Sequence, residues 1–262
     1  MTRRGTHQAS GPPRRVAPIA AGWGARGRRE ACSAALMALI LIGLSSSPGR
    51  AEAQTSRDKL WQQVQTCLRE QPLQLPCVYV SQANKYVILK DISPAKPQAY
   101  LIVPADKVTG IEDKQIWSPP VLNFWEYGWQ ESKRHLKNQP PENTGLAINS
   151  VAGRDQDQLH IHISCVKKSV RDALAKATAV TDKWGAFVEL VSGHKYNVRK
   201  VTSLSPSPFT LLGDLPAAKD HMKDQTLAVI GVKGGGFYVL NDYTHADDKG
   251  EAEELLDEKC QP

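Results

Sequence analysis

Polar and apolar residues alternate strictly along residues 158–164, which read QLHIHIS. Successive side chains of a β-strand point to opposite faces. The pattern therefore predicts a strand at 158–166 whose apolar face, with Leu159, Ile161 and Ile163, enters the core. The other face carries a polar row: Gln158, His160, His162 and Ser164. The chain must therefore form a sheet that displays two imidazoles side by side.

Other short runs rich in β-branched and aromatic residues predict further strands. They lie at 78–80, 85–90, 99–103 and 145–149, and after residue 186 at 187–191, 196–201, 209–212, 227–232 and 237–240. The turn-forming stretch 91–98 (DISPAKPQ) predicts a hairpin. Because the strands come in hairpins rather than in strand–helix alternation, the pattern predicts an α+β fold. We expect a mostly antiparallel sheet with flanking helices and an additional C-terminal β-rich region.

Apolar residues at helical spacing predict the flanking helices. They fall at 57–68, 121–138 and 168–184, and an acidic helix is predicted to close the chain at 251–258.

The first fifth of the chain has the layout of an export segment. Residues 1–50 carry eight Arg and one acidic residue, and the apolar run 31–44 is followed by small residues and an Ala-x-Ala pattern ending at Ala53. This is the arrangement of a secretory signal, and the run is short for a spanning helix, which needs roughly 20 residues. We predict that residues 1–53 are a basic region with a signal peptide or a membrane anchor and that residues 54–262 are the folded domain.

The basic charge also belongs to this segment. The whole chain has a net charge of +6, of which residues 1–50 contribute +7, leaving −1 for the remainder. A near-neutral domain gives no support to nucleic-acid binding, which needs clustered basic residues on the folded surface.

Four cysteines lie beyond the export segment, an even number that suits an oxidising compartment and allows three pairings. Cys67 and Cys77 are close in sequence, so their pairing is reasonable, and Cys165–Cys260 would then tie the C-terminal tail to the strand of the histidines. No Cys-x-x-Cys occurs, which weakens the case for a thiolate zinc site.

The paired histidines allow several kinds of chemistry. An imidazole is neutral and nucleophilic near neutral pH, and one ring can attack phosphorus while a second contacts the phosphate or leaving group. His-x-His on a strand is also a familiar zinc arrangement, and it can equally be a solvated polar face. Spacing alone leaves these alternatives open.

A resemblance favours the first of them. The stretch 146–174, with LAINS and QLHIHIS, resembles the signature region of the histidine-triad superfamily, and more narrowly the bacterial CDP-diacylglycerol pyrophosphatase family. The resemblance implies that residues 54–262 form a histidine-triad-like catalytic domain. Other segments agree in order across residues 57–262, among them KYVILKD, AYLIVPADKVTGIED, NFWEYGW and SPFTLL.

The resemblance implies roles for individual residues. The superfamily's nucleophilic histidine falls on His160 and its third histidine on His162, so both are expected to be catalytic. The first histidine is replaced by Gln158, which can form hydrogen bonds but cannot take up a proton. Gln158, Asn149 and Ser164 are expected to bind substrate.

The implied activity is hydrolysis of CDP-diacylglycerol to CMP and phosphatidate through a covalent nucleotidyl-histidine, with no metal or other cofactor. The implied partners are the lipid-nucleotide substrate and a membrane surface. The implied location is the bacterial inner membrane with the domain facing the periplasm, or the periplasm itself if the signal is cleaved. The alternatives are a periplasmic hydrolase of small nucleotide diphosphates and a non-catalytic zinc- or nucleotide-binding protein.

Overall fold

The structure is a computed structural model that describes residues 56–117, 122–246 and 248–261. The predicted export segment, residues 1–53, lies outside these ranges. The strands are β1 (Cys77–Ser81), β2 (Tyr86–Lys90), β3 (Tyr100–Pro104), β4 (Thr144–Ile148), β5 (Ile161–Val166), β6 (Ala186–Val191), β7 (His194–Val201), β8 (Gln225–Gly231), β9 (Phe237–Tyr243) and β10 (Leu256–Asp257).

All ten strands belong to one sheet in the order β1-β2-β3-β5-β4-β8-β9-β7-β6, and β10 pairs with β5. Every pairing is antiparallel. The predicted hairpin forms from β2 and β3. The C-terminal β-rich region, β6 to β9, continues the same sheet by way of the β4–β8 pairing.

The helices are α1 (Lys59–Arg69), α2 (Phe124–His135), α3 (Lys168–Lys176), α4 (Pro208–Gly213) and α5 (Pro216–Lys219). The predicted α+β class with a mostly antiparallel sheet is therefore confirmed. Among the described residues, no helix combines the length and apolar character needed to cross a bilayer.

The sheet is covered on both faces, and this fixes the direction of the side chains of β5. On one face, Trp125 and Trp129 of α2 pack in a core that includes Ile161 and Ile163. The helix lies close to the sheet, because a Cβ placed at Gly128 would be 2.8 Å from Leu146 Cδ2. The other face has its own core, which includes Val166, α3 and Leu255.

Several element predictions were wrong in detail. Residues 209–212 form helix α4 rather than a strand, because the Ser207 side chain accepts a hydrogen bond from Phe209 N and Pro208 occupies the first turn. The closing helix predicted at 251–258 is a short 3₁₀ helix, Ala252–Leu255, followed by β10. The predicted strand 158–166 begins only at Ile161, and the helix predicted at 168–184 ends at Lys176.

The described part of the chain contains two disulfides, Cys67–Cys77 and Cys165–Cys260. The predicted pairing is therefore confirmed. The second bridge joins β5 to the chain just after β10, so it holds the C-terminal segment against the strand of the histidines.

Candidate active site

The two histidines lie together at one end of β5. Their ring centroids are 5.2 Å apart with the planes inclined at 61°. His162 belongs to β5, whereas His160 immediately precedes it. Because Ile161 and Ile163 are fully buried beneath α2, the alternation of the strand turns His162 to the opposite face of the sheet.

The tautomer of His160 is set by its own backbone. Its Nδ1 lies 2.7 Å from the carbonyl oxygen of Gln158. A carbonyl oxygen can only accept a hydrogen bond, so Nδ1 carries the proton and donates it. The lone pair of His160 is therefore on Nε2, the atom left available to attack.

Both imidazoles are held in the neutral form. The pKa of His160 is lowered to about 4, mainly by burial and next by repulsion from a proton on His162. The pKa of His162 is also lowered to about 4, mainly by burial and next by the positive charge of Lys96. A half-buried site disfavours the charged form of an imidazole, and a nearby cation adds to that effect.

The side chain of Gln158 forms all its hydrogen bonds with the backbone of loop 104–108. Its fully buried side-chain amide donates to the carbonyl oxygens of Pro104 and Asp106, and its Oε1 accepts from Val108 N. Both amide hydrogens are used by these bonds. The side chain thus fixes loop 104–108 to the segment before β5, while the backbone of Gln158 holds His160.

Ser164 and Asn149 are buried in similar hydrogen-bonded positions. The Ser164 hydroxyl lies 3.0 Å from both the Gln98 and the Asp257 carbonyl oxygens, between the chain that leads into β3 and strand β10. Asn149 Oδ1 accepts from Glu253 N at 3.2 Å, and its Nδ2 is 3.5 Å from Gly153 O. Each residue thus connects the site to a segment distant in sequence.

A carboxylate that the sequence reasoning missed lies at the site. Glu253 Oε2 is 3.0 Å from His162 Nε2, and the two side chains are 33% and 18% exposed. The His162 nitrogen is buried and has no partner in hydrogen-bond geometry. No local motif marks Glu253, because it is one of several acids in 251–258.

A network of ion pairs around the buried Arg154 holds the turn that precedes His160. Arg154 forms a two-pronged ion pair with Glu112, with distances of 2.6 and 2.7 Å, and also reaches Asp157 at 3.3 Å. Asp157 in turn is bound by Arg57 at 2.7 Å. Because Arg154 is already paired, its side chain stabilises the turn.

A cavity of about 730 Å³ opens beside this region. Its lining includes Lys96, Lys168, Glu253 and Asp257. This volume lies within the range of small-molecule sites. Glu253 belongs both to the cavity wall and to the contact with His162, so the carboxylate connects the two. Among the described residues, no three His, Cys, Asp or Glu side chains converge as a metal site would require.

The fold and the site define an α+β protein with a pair of neutral imidazoles at an antiparallel sheet. A family model described as CDP-diacylglycerol pyrophosphatase matches residues 55–262. The CDP-diacylglycerol pyrophosphatase of Yersinia pestis is 34% identical over 241 residues, which cover 86% of this chain and 93% of that protein. The chain belongs to the CDP-diacylglycerol pyrophosphatase family, a family of hydrolases, as the resemblance in the sequence predicted.

Two solved structures show a weaker likeness. Yeast Ap4A phosphorylase Apa2 in complex with AMP gives a TM-score of 0.44 at 15% identity, covering 67% of this chain and 63% of that chain. The same enzyme in complex with Ap4A gives 0.41 at 12% identity, covering 70% and 65%. The matches thus span slightly less than two thirds of the phosphorylase chain.

Proposed function

We propose that the protein hydrolyses the pyrophosphate bond of CDP-diacylglycerol to CMP and phosphatidate, with His160 as the nucleophile. The observation that carries this proposal is the His160 Nδ1–Gln158 O contact of 2.7 Å, which leaves the Nε2 lone pair free. Family membership supports the substrate, because the matching relatives are named for it.

The reaction proceeds in two steps. His160 Nε2 attacks the cytidylyl phosphorus, the bond from phosphorus to the bridging oxygen breaks, and phosphatidate leaves with that electron pair. Water then attacks the same phosphorus, the P–Nε2 bond breaks, and CMP is released with His160 again neutral. The His160 pKa of about 4 means that no proton must be removed from Nε2 before attack at neutral pH.

The roles expected for the other polar residues follow from their hydrogen bonds. In this proposal Asn149, Gln158 and Ser164 support the backbone around the substrate site, because their side chains are hydrogen-bonded to backbone groups. Each ties a segment of the site in place, which keeps the geometry of the reacting groups tight.

A quenched-reaction experiment tests the proposal. CDP-diacylglycerol labelled in the CMP moiety is mixed with the wild-type protein, His160→Ala and, as a matched control, His221→Ala at an exposed surface histidine. We expect a labelled adduct and CMP release with the wild type and the control, and neither with His160→Ala. Adduct formation by His160→Ala, or turnover by it at the wild-type rate, would refute the nucleophile.

The same preparation separates the competing functions. Hydrolysis of CDP-choline as fast as of CDP-diacylglycerol would indicate a hydrolase of small nucleotide diphosphates. About one equivalent of zinc retained after purification, with no turnover of either compound, would indicate a metal-binding protein.

The location at a membrane surface also belongs to the proposal. We place the protein at the bacterial inner membrane, facing the periplasm, by its apolar N-terminal run. Two exposed apolar side chains support a membrane contact: Leu75 is 68% and Ile92 is 72% exposed. Their segments adjoin, because Lys90 N donates to Pro76 O, and contiguous exposed apolar area marks sites of contact with partners or membranes.

A further inference from the structure

Glu253 lies beside the two histidines, although no sequence motif marks it. Its Oε2 lies 3.0 Å from the buried Nε2 of His162. The neighbouring acids are engaged elsewhere: Glu254 bonds His194 and Tyr196, and Glu258 pairs with Lys96. Glu253 is thus the acid of this segment that is directed to the histidines.

The fold holds Glu253 at that place from both sides. Its backbone N–H donates to Asn149 Oδ1 at the end of β4. The 3₁₀ helix that carries it buries Ala252 and Leu255 on the sheet, and the Leu255 carbonyl accepts from Lys167 N after β5. The carboxylate is therefore fixed by β4 and β5, the same strands that frame the histidines.

The charges around the two histidines decide which protonation state of the rings is favoured. Lys96 disfavours a proton on His162 and Asp91 favours one, and His162 in turn disfavours a proton on His160. Glu253 also favours a positive charge at His160. A carboxylate facing Nε2 can only accept, so it favours the tautomer with the proton on Nε2 and the lone pair on Nδ1.

From this arrangement we infer that Glu253 and His162 form a carboxylate–imidazole dyad that activates the water of the second step. His162 is the catalytic base, and Glu253 is a positioning residue that acts through it. The inference rests on the proposed function, because it requires a nucleotidyl-His160 to hydrolyse.

The step balances without a further reactant. A water oxygen attacks phosphorus while His162 Nδ1 takes the proton of that water. The P–Nε2 bond of His160 breaks, and its electron pair returns to Nε2. His162 becomes an imidazolium paired with Glu253, which stabilises its charge, and then loses the proton to solvent as CMP leaves. General base catalysis of this kind typically contributes about 10²- to 10⁴-fold in rate.

Replacing the carboxylate by an amide separates the two steps. With Glu253→Gln we expect a rapid burst of phosphatidate equal to the enzyme concentration, then steady turnover at least about 100-fold slower than the wild type. The labelled CMP adduct should accumulate. Added hydroxylamine, which needs no general base, should then discharge the adduct and restore phosphatidate release.

The control is Glu70→Gln, because Glu70 is exposed just after α1 and belongs neither to the cavity nor to the dyad. It should show the steady rate and the low adduct level of the wild type.

A Glu253→Gln protein that loses burst and steady rate equally, with no adduct, overturns the inference. If Glu253→Gln does not fold, Glu253→Asp provides the same readout. An absence of adduct and of phosphatidate release in the wild type instead overturns the proposed function.

Discussion

The Nδ1 atom of His160 and the carbonyl oxygen of Gln158 are 2.7 Å apart, within the short segment that leads into β5. The contact is local, because it joins a side chain to the backbone two residues earlier in the chain. His162 differs, because the carboxylate near it comes from the C-terminal segment. One ring is thus oriented by local backbone and the other by tertiary structure.

The pH dependence of activity follows from the neutral state of the pair. The His160 pKa is lowered from 6.5 to about 4, so protonation blocks the proposed nucleophile only near pH 4. We expect kcat/KM, which reports the free enzyme, to stay level from about pH 7 to about pH 5 and to fall near pH 4. An acid limb centred on pH 6.5 would contradict this.

The same shift links pH to stability. Between 6.5 and about 4 the unfolded chain binds protons at these histidines and the folded chain does not. Stability is therefore full above pH 6.5 and declines as pH falls towards 4. Urea unfolding at pH 7.5 and 5 measures the decline, and an equal midpoint at both values would count against it.

Gln158 is expected to matter for stability rather than for substrate affinity. Gln158→Ala leaves two carbonyls and one N–H of loop 104–108 without partners, which should lower the free energy of unfolding by about 3 kcal/mol. Gln158→His, which restores the superfamily residue, should also destabilise, because neutral histidine has one donor where two are used.

Chemical denaturation and KM together check this prediction. Gln130→Ala, at an exposed position on α2, is the matched control and should leave both unchanged. A large rise in KM for Gln158→Ala at unchanged stability would instead assign the amide to the substrate.

The two disulfides should differ in their effect. Cys165 and Cys260 are separated by 95 residues and Cys67 and Cys77 by 10. Because loop entropy grows with loop length, removing the long bridge should cost about 5 kcal/mol and removing the short one about 3. Paired Cys→Ala variants compared by thermal unfolding test the order, and a larger loss from the short bridge would reverse it.

The exposed apolar pair at Leu75 and Ile92 should mediate binding to lipid vesicles. Leu75→Ser/Ile92→Ser should lower cosedimentation with phosphatidylglycerol-containing vesicles several-fold, because each side chain contributes apolar area at the bilayer surface. Phe187→Ser, at another exposed apolar residue, is the control. Equal loss in the control would show that the effect is nonspecific.

Local patterns predicted the strands well because alternation and turn residues act over few positions. They placed β2, β3, β4 and the buried face of β5, and they paired the two histidines. They misread 209–212, where the capping Ser207 and Pro208 outweigh the β-branched and aromatic content. They missed Glu253, because it reaches Asn149 across 104 residues and only the sheet order brings the two together.

The C-terminal segment contributes Glu253, β10 and the sulfur of Cys260. A ribosome has already synthesised both imidazoles and nine of the strands when this segment emerges. The Glu253 carboxylate can therefore reach His162 only when this segment packs against β5. The Cys165–Cys260 disulfide then holds the segment in that position. The proposed dyad with His162 is therefore completed later in synthesis than the histidines themselves, and oxidation of the two thiols stabilises it.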